Sequence, residues 1–414
     1  MKTCLTHPEY GYYTTRDPLG LNGKSDFITS PEISQMFGEM LGIWFFSIWL
    51  DQLKPLDINF VEFGPGKGTL IYDLIKTFNK LSQTTNLKLN INIILVEASP
   101  ILRKEQWKLL SNSIHRLIPS DDKIGFTSKS TWNNNIRWID NETDLDAVLS
   151  NNSTNYIIAH EFFDALPIKQ FEKTSNGWHE LLVDYSTDEK IRKLNLQNDA
   201  SSLPNKTTYK SSDLDKNKNS SLIQDYPFFL TLSPKKTVSS NIPESNPRFN
   251  SFPIGSRVEV SIESIDHVKK ISQFINYKGA ALIIDYGPLD TCPINTLRGI
   301  KSHKLLSPFY KPGEVDLSAD VDFQNLKQVV ADQVKSFGPV EQADFLHQLG
   351  LGYRADQLIH HSKSLQEKER IKKSYLRLTE NTAGSMGKLY KFLGLLPKNT
   401  IKLPVGFGGD VSSN

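Results

Sequence analysis

After residue 27, in FITSPEISQMFGEMLGIWFFSIWL, apolar residues recur every three or four positions, and Ile33, Phe37, Met40 and Leu41 predict a helix. Ser30 suits its N-cap and Pro31 its first position. The period then changes: residues 58–63 read as a strand, 69–81 as a helix, 91–96 as a strand, and Ser99 opens a helix to about residue 110. Further strands are expected at 136–139, 156–159 and 280–284. Runs such as IILV and LIID are apolar without alternation, which suits strands covered on both faces. Strands alternating with helices predict an α/β fold, a mostly parallel, doubly wound sheet. Beyond Arg298 the pattern is less regular, with amphipathic helices expected from Phe323 and Ala343 and a charged, solvated helix over 363–378.

One stretch breaks the alternation. Residues 186–250 are rich in Ser, Asn, Lys and Asp, with NKTTYKSSDLDKNKNSSL at their centre. Such a composition buries too little apolar surface to offset the entropy of ordering. The expectation is a largely disordered polar insertion, with an ordered patch at YPFFLTL at most.

Composition narrows the function classes. With 48 basic and 46 acidic residues, a net charge of +2 gives no electrostatic footprint for nucleic acid. Two cysteines, Cys4 and Cys292, cannot build a disulfide framework, so an intracellular setting is expected. No Cys or His cluster has ligand spacing, and no metal is expected. The longest apolar run, MLGIWFFSIWL, is too short for a span of about 20 residues, so no membrane span is expected. The start, MKTCLTHPEY, reads as neither a signal peptide nor an Arg-rich transit peptide.

Candidate chemistry concentrates at VEFGPGKGTL, a glycine loop between a strand and a helix. Gly64, Gly66 and Gly68 permit a sharp turn and a close ligand, and helix N-terminal amides would face it. A P-loop is excluded, because Val61 stands where its first glycine belongs and Gly68 follows Lys67. A dinucleotide fingerprint meets Thr69 at its third glycine, and a purely structural turn remains open. The best fit is E-x-G-x-G-x-G, with Glu62, Gly64, Pro65, Gly66 and Gly68, which looks like the first motif of class I S-adenosylmethionine-dependent methyltransferases. That cofactor presents a cationic amino acid, which suits an acid on the strand. Glu97 ends the second strand, where a carboxylate can accept from two ribose hydroxyls. Trp138, on the third strand, suits either stacking on adenine or the core.

The fourth strand, NYIIAHEFFDALPI, delivers His160, Glu161 and Asp164 to the carboxyl edge of the sheet, where ligands bind. Glu161 and Asp164 could hold a guanidinium and polarise it toward attack on a methyl group. The alternative is that Asp164 caps a turn, Glu161 pairs internally and His160 is structural. Tyr10, Tyr12 and Tyr13, with SDFITSPEIS, suit either a lid over the cofactor or an aromatic core patch. Arg298, Lys301, His303 and Tyr310 are candidates for the substrate side.

Taken together, HPEYGYY, DFITSPEISQMFGE, VEFGPGKGTL, VEASP, HEFFDALPI, LIIDYG and VDLSADVDF resemble the MidA-type protein arginine methyltransferases over about residues 7–396. The resemblance implies a Rossmann-like class I methyltransferase fold and S-adenosyl-L-methionine as cofactor. It also implies symmetric dimethylation of an arginine in a complex I subunit, the homologue of iron–sulfur subunit 2, in the mitochondrial matrix. Glu62, Gly64, Gly66, Gly68 and Glu97 would serve the cofactor and Glu161 catalysis. The implied organisation is one methyltransferase domain over 1–414. It would comprise an N-terminal lid and helix (1–50), a cofactor-binding core (56–185), the insertion (186–250), and the remaining sheet with substrate-side helices (251–414). Two other readings are a non-catalytic complex I assembly chaperone that retains the fold and an NAD-dependent oxidoreductase.

Overall fold

The computed structural model describes residues 1–15, 26, 28–112, 114–149, 153–186, 188, 227–275 and 277–409. In chain order the strands are β1 (Asp57–Phe63), β2 (Asn90–Val96), β3 (Ile118–Pro119), β4 (Phe126–Lys129), β5 (Asn135–Ile139), β6 (Thr154–His160), β7 (Lys169–Thr174) and β8 (Gly177–Tyr185). They continue with β9 (Phe228–Leu232), β10 (Arg257–Val260), β11 (Gly279–Tyr286), β12 (Arg298–Lys301), β13 (Lys304–Leu306), β14 (Asp316–Ser318), β15 (Val334–Glu341) and β16 (Tyr390–Pro397). The first helices are α1 (Lys2–Thr6), α2 (Tyr12–Thr15), α3 (Ser30–Ile33), α4 (Gln35–Asp51), α5 (Thr69–Ser82) and α6 (Pro100–Leu110).

The main sheet has nine strands, in the order β15-β16-β11-β6-β1-β2-β5-β4-β3. Its centre, β11-β6-β1-β2-β5, is parallel, while β16, β15 and β4 pair antiparallel at the flanks. The central strands are buried on both faces, as their unbroken apolar runs require. One face carries α4 and α5, with Phe37, Trp44, Phe45, Phe60 and Phe78 in a shared core. The other carries the helix Ile262–Phe274, whose Val268 and Ile271 pack with Val61, Ile157 and Ile283. Both layers therefore leave the carboxyl ends of β1, β2, β6 and β11 free to build a site.

Two expectations are corrected. The first helix does not run unbroken from Ser30. Ser34 is extended (φ −162°, ψ 138°) and accepts from Met36 N, so it caps α4, while the Ser30 hydroxyl bonds Gln342. Within residues 1–50, α4 is core, whereas α1 and α2 lie near β14, where Leu5 and Tyr12 meet Leu317. The polar insertion is shorter than 186–250. From residue 227 the chain is ordered: β9 pairs with β8, and the buried Phe249 packs with Phe171 and Trp178. The aromatic content of 228–252 provides that burial, and Ser186 N donates to Pro227 O at 2.8 Å, closing the connection. Loop closure cost grows slowly with length, so this hairpin tolerates a long connection. The polar centre of the insertion lies outside the described residues. Among the described residues no helix is long and apolar enough to cross a membrane.

Candidate active site at the carboxyl ends of the parallel strands

β1 ends at Phe63, and the chain must turn at once into α5. Gly64, Gly66 and Gly68 all have left-handed backbone (φ 60°, 54° and 83°), which a side chain would make costly by about 1–2 kcal/mol each. Gly68 N donates to Pro65 O at 2.8 Å, so Pro65 sits inside the tight turn. A Cβ on Gly68 would lie 3.3 Å from Gln106 Cγ. Gln106, on α6, is wholly buried and ties three parts together. Its amide nitrogen donates to Gly66 O at 2.7 Å and to Glu97 Oε2 at 2.9 Å, and its carbonyl accepts from the Trp138 indole at 3.0 Å. Trp138 is fully enclosed and offers no face to an adenine, which corrects the stacking expectation; it is core.

Glu62 and Glu97 lie side by side on β1 and at the end of β2. Burial, then the charge of Glu97, pushes the Glu62 carboxyl up to about 8. Burial pushes Glu97 up to about 7, against the opposing pull of the Ser99 amide and Gln106. Glu62 Oε2 is buried with no hydrogen-bond partner among the described residues. From α3, Glu32 reaches Lys67 at 3.1 Å and the Thr69 hydroxyl at 2.6 Å, latching the SPEIS segment onto the glycine loop.

Beyond β6 the backbone turns sharply. Glu161 is left-handed (φ 50°), and its N–H donates to Ile284 O at 2.9 Å. The next three N–H groups, of Phe162, Phe163 and Asp164, converge on one oxygen of the buried Asp285 at 3.2, 2.9 and 3.2 Å. This clamp presents Glu161 and Asp164 on one side of the turn. Tyr390 donates to Glu161 Oε1 at 2.7 Å, and Ser318 donates to Asp164 Oδ2 at 2.9 Å. Asp316 accepts from the Tyr13 hydroxyl at 2.8 Å, which draws α2 over the cluster. Burial first, and then the neighbouring acids Asp164 and Asp316, push Glu161 up to about 8. Asp316 is pushed up to about 7 by burial and by Asp164, and burial raises Asp164 as well, although Arg298 pulls it down. Burial holds His160 neutral, lowered to about 3; its Nε2 lies 3.5 Å from Glu161 without bonding it.

Arg298 bonds Asp320 at 2.6 Å and lies over the Tyr286 ring, whereas Lys301 pairs with Glu314 and Ser302 and His303 meet Asp26 through their backbone. Sequence reasoning missed Gln106, Asp285, Tyr286, Asp316 and Tyr390. Gln106 had a signal: it falls between Leu102 and Leu110 at the spacing of the buried helix face. Among the described residues no group of three or more His, Cys, Asp or Glu side chains could hold a metal.

A family described as "Putative S-adenosyl-L-methionine-dependent methyltransferase" matches residues 40–340. The chain is 32% identical over 406 residues to the protein arginine methyltransferase NDUFAF7, mitochondrial, of Xenopus tropicalis, covering 97% of this chain and 82% of that one. Against the Homo sapiens protein of the same name it is 32% identical over 408 residues, covering 97% and 80%. The chain belongs to this methyltransferase family. A COG1565 superfamily member and likely methyl transferase from Burkholderia thailandensis, solved with S-adenosyl-homocysteine, shares the fold with a TM-score of 0.67 at 21% identity, covering 99% of this chain and 90% of that one.

The residues present fit the methyl donor of this family, S-adenosyl-L-methionine. The three left-handed glycines keep the loop backbone bare, as a ligand lying against it requires. The unpartnered Glu62 oxygen is an acceptor suited to an ammonium, and the adjacent Glu97 is suited to hydroxyls. The candidate site thus has two parts, a glycine-loop half at β1 and β2, here called the donor half, and an acid cluster at β6, β11 and β14.

Proposed function

We propose that the protein is an S-adenosyl-L-methionine-dependent protein arginine N-methyltransferase, with Glu161 and Asp164 holding the arginine. Glu62, Gly64, Pro65, Gly66, Gly68 and Glu97 hold the cofactor. The observation that carries the reading is the acid cluster. Glu161 is part-buried against Asp164 and Asp316, its carboxylate accepts from a neutral tyrosine, and its neighbour His160 is neutral. Arg298 pulls on Asp164 but is itself paired with Asp320. A guanidinium would add positive charge beside Glu161 in a planar fork matched to carboxylates. Bound donor supplies a methyl group on a positively charged sulfur. Glu161, ionised by the entering guanidinium, orients the reacting nitrogen and takes up the proton that nitrogen sheds. Tyr13 and α2 close over the cluster and keep water out.

The relatives are named protein arginine methyltransferases and mitochondrial, which supports a protein substrate and a mitochondrial setting here. The finer reading follows the motif resemblance. The product is a symmetric dimethylarginine, and the substrate is the complex I homologue of iron–sulfur subunit 2 in the matrix.

The test is incubation with isotopically labelled donor and complex I assembly intermediates, followed by mass spectrometry for a methylated arginine peptide. Glu161→Gln should keep donor affinity by calorimetry and lose about 10²–10⁴-fold in methyl transfer. Wild-type turnover in that variant overturns the assignment. Restored complex I assembly by a turnover-dead Glu161→Gln protein would point to a non-catalytic chaperone instead.

A further inference from the structure

We infer that Tyr390, with Tyr286 behind it, is a positioning residue that keeps Glu161 oriented and eases its ionisation as the acceptor enters. The inference rests on the arginine methyltransferase reading. Tyr390 is the first residue of β16, an antiparallel neighbour of β11, and it pairs in register with Tyr286. Both phenol rings sit at the same edge of the sheet as Glu161, their centroids 4.2 Å apart. The Tyr390 hydroxyl donates to Glu161 Oε1 at 2.7 Å, and the two hydroxyl oxygens are 2.5 Å apart. A phenol has one proton, and Tyr390 gives its proton to Glu161. Tyr286 must then donate to the Tyr390 oxygen, making a short chain of aligned donors. The His160 ring lies parallel to Tyr390 with centroids 6.1 Å apart.

Among the described residues, the acids that face Glu161 work against its charge: Asp164 on the following turn, Asp316 on β14 and Asp285 on β11. His160 on its own strand is neutral, and the cation Arg298 lies over the Tyr286 ring, paired with Asp320. Tyr390 is the hydrogen bond that favours the carboxylate, and its own ring and hydroxyl are wholly buried. A donor to a charged group adds roughly 1.5–3 kcal/mol, equivalent to about one pH unit or more in the carboxyl's titration. The bond also leaves Oε2 as the oxygen for the acceptor.

The direct test is pH-difference infrared spectroscopy of the intact protein, with the protonated Glu161 carbonyl band assigned by its loss in Glu161→Gln. Tyr390→Phe keeps the ring and removes the hydroxyl, so the band's midpoint should move up by about one pH unit. Tyr286→Phe should move it the same way by less. An unmoved midpoint in a Tyr390→Phe protein that melts with the wild type overturns the inference. The acid limb of kcat/KM, which reports the free enzyme, should move upward in parallel. A wild-type protein inactive on every arginine peptide would sink the methyltransferase reading, while the infrared midpoint would still decide the role of Tyr390.

Discussion

The donor half and the acid cluster both bury carboxylates, but they handle them differently. Around the glycine loop, Glu97 is met by the Ser99 amide and Gln106, while Glu62 Oε2 has no hydrogen-bond partner among the described residues. Across the sheet, Glu161, Asp164 and Asp316 face one another and share tyrosine and serine hydroxyls. The donor half is shaped by backbone, whereas the acid cluster sets three carboxyls from separate elements against one another. On the proposed reading the first grips a ligand and the second changes protonation as its ligand arrives.

Breaking the donor half alone should have the larger effect. Gly66→Glu forces a side chain onto left-handed backbone (φ 54°), at about 1–2 kcal/mol, and places a bulky carboxylate in the bare turn. The expected result is no detectable S-adenosylhomocysteine binding by calorimetry, with the acid cluster's infrared titration unchanged. Wild-type affinity would mean that the loop is only a turn.

A pH series separates the halves next. The folded-state Glu62 carboxyl, at about 8, lies above its ordinary value of 4.5, so the folded protein keeps a proton that the unfolded chain releases. Its contribution to stability is full below that ordinary value and is lost as pH rises toward 8. An ammonium ligand favours the charged form, so donor affinity should rise with pH over about pH 6–8, by up to tenfold per unit. Glu62→Gln should flatten that rise and raise the melting temperature of the ligand-free protein at pH 8. A pH-independent wild-type affinity would remove Glu62 from the donor half.

The same contrast explains what the sequence made legible. The donor half lies within residues 62–106 and follows from local periods: a buried strand, three glycines, a capped helix, a second strand. Expected strands at 58–63, 91–96 and 280–284 match β1, β2 and β11 to within a few residues. The acid cluster gathers Tyr13, Glu161, Asp285, Asp316 and Tyr390 from five separate elements. No local period marks such a set, so Asp285 and Tyr390 were invisible although LIIDYG was conspicuous. The break in the first helix is missed because Ser30 is itself the first residue of the short α3, capped by Thr29, and nothing in the apolar period marks the extended Ser34 that starts α4. The extent of the insertion was overdrawn because its ordered part gains its stability by pairing with β8, a non-local event.

Trp138 gives the smallest and sharpest test, because its two readings differ in what a ligand would feel. As core, its indole N–H holds Gln106, and Gln106 holds Glu97 and the loop carbonyl. Trp138→Phe leaves Gln106 Oε1 unpaired and a small void, for about 1–3 kcal/mol of stability. Donor affinity should fall by less than about threefold, since Gln106 keeps both bonds to the site. An adenine platform would instead lose part of the stacking, for which removing the ring outright costs about 1–3 kcal/mol or roughly five- to hundredfold in affinity, with little change in melting temperature. Calorimetry and thermal unfolding on one variant therefore read opposite patterns. A large affinity loss with unchanged melting would mean that the ring turns out of the core when the donor binds.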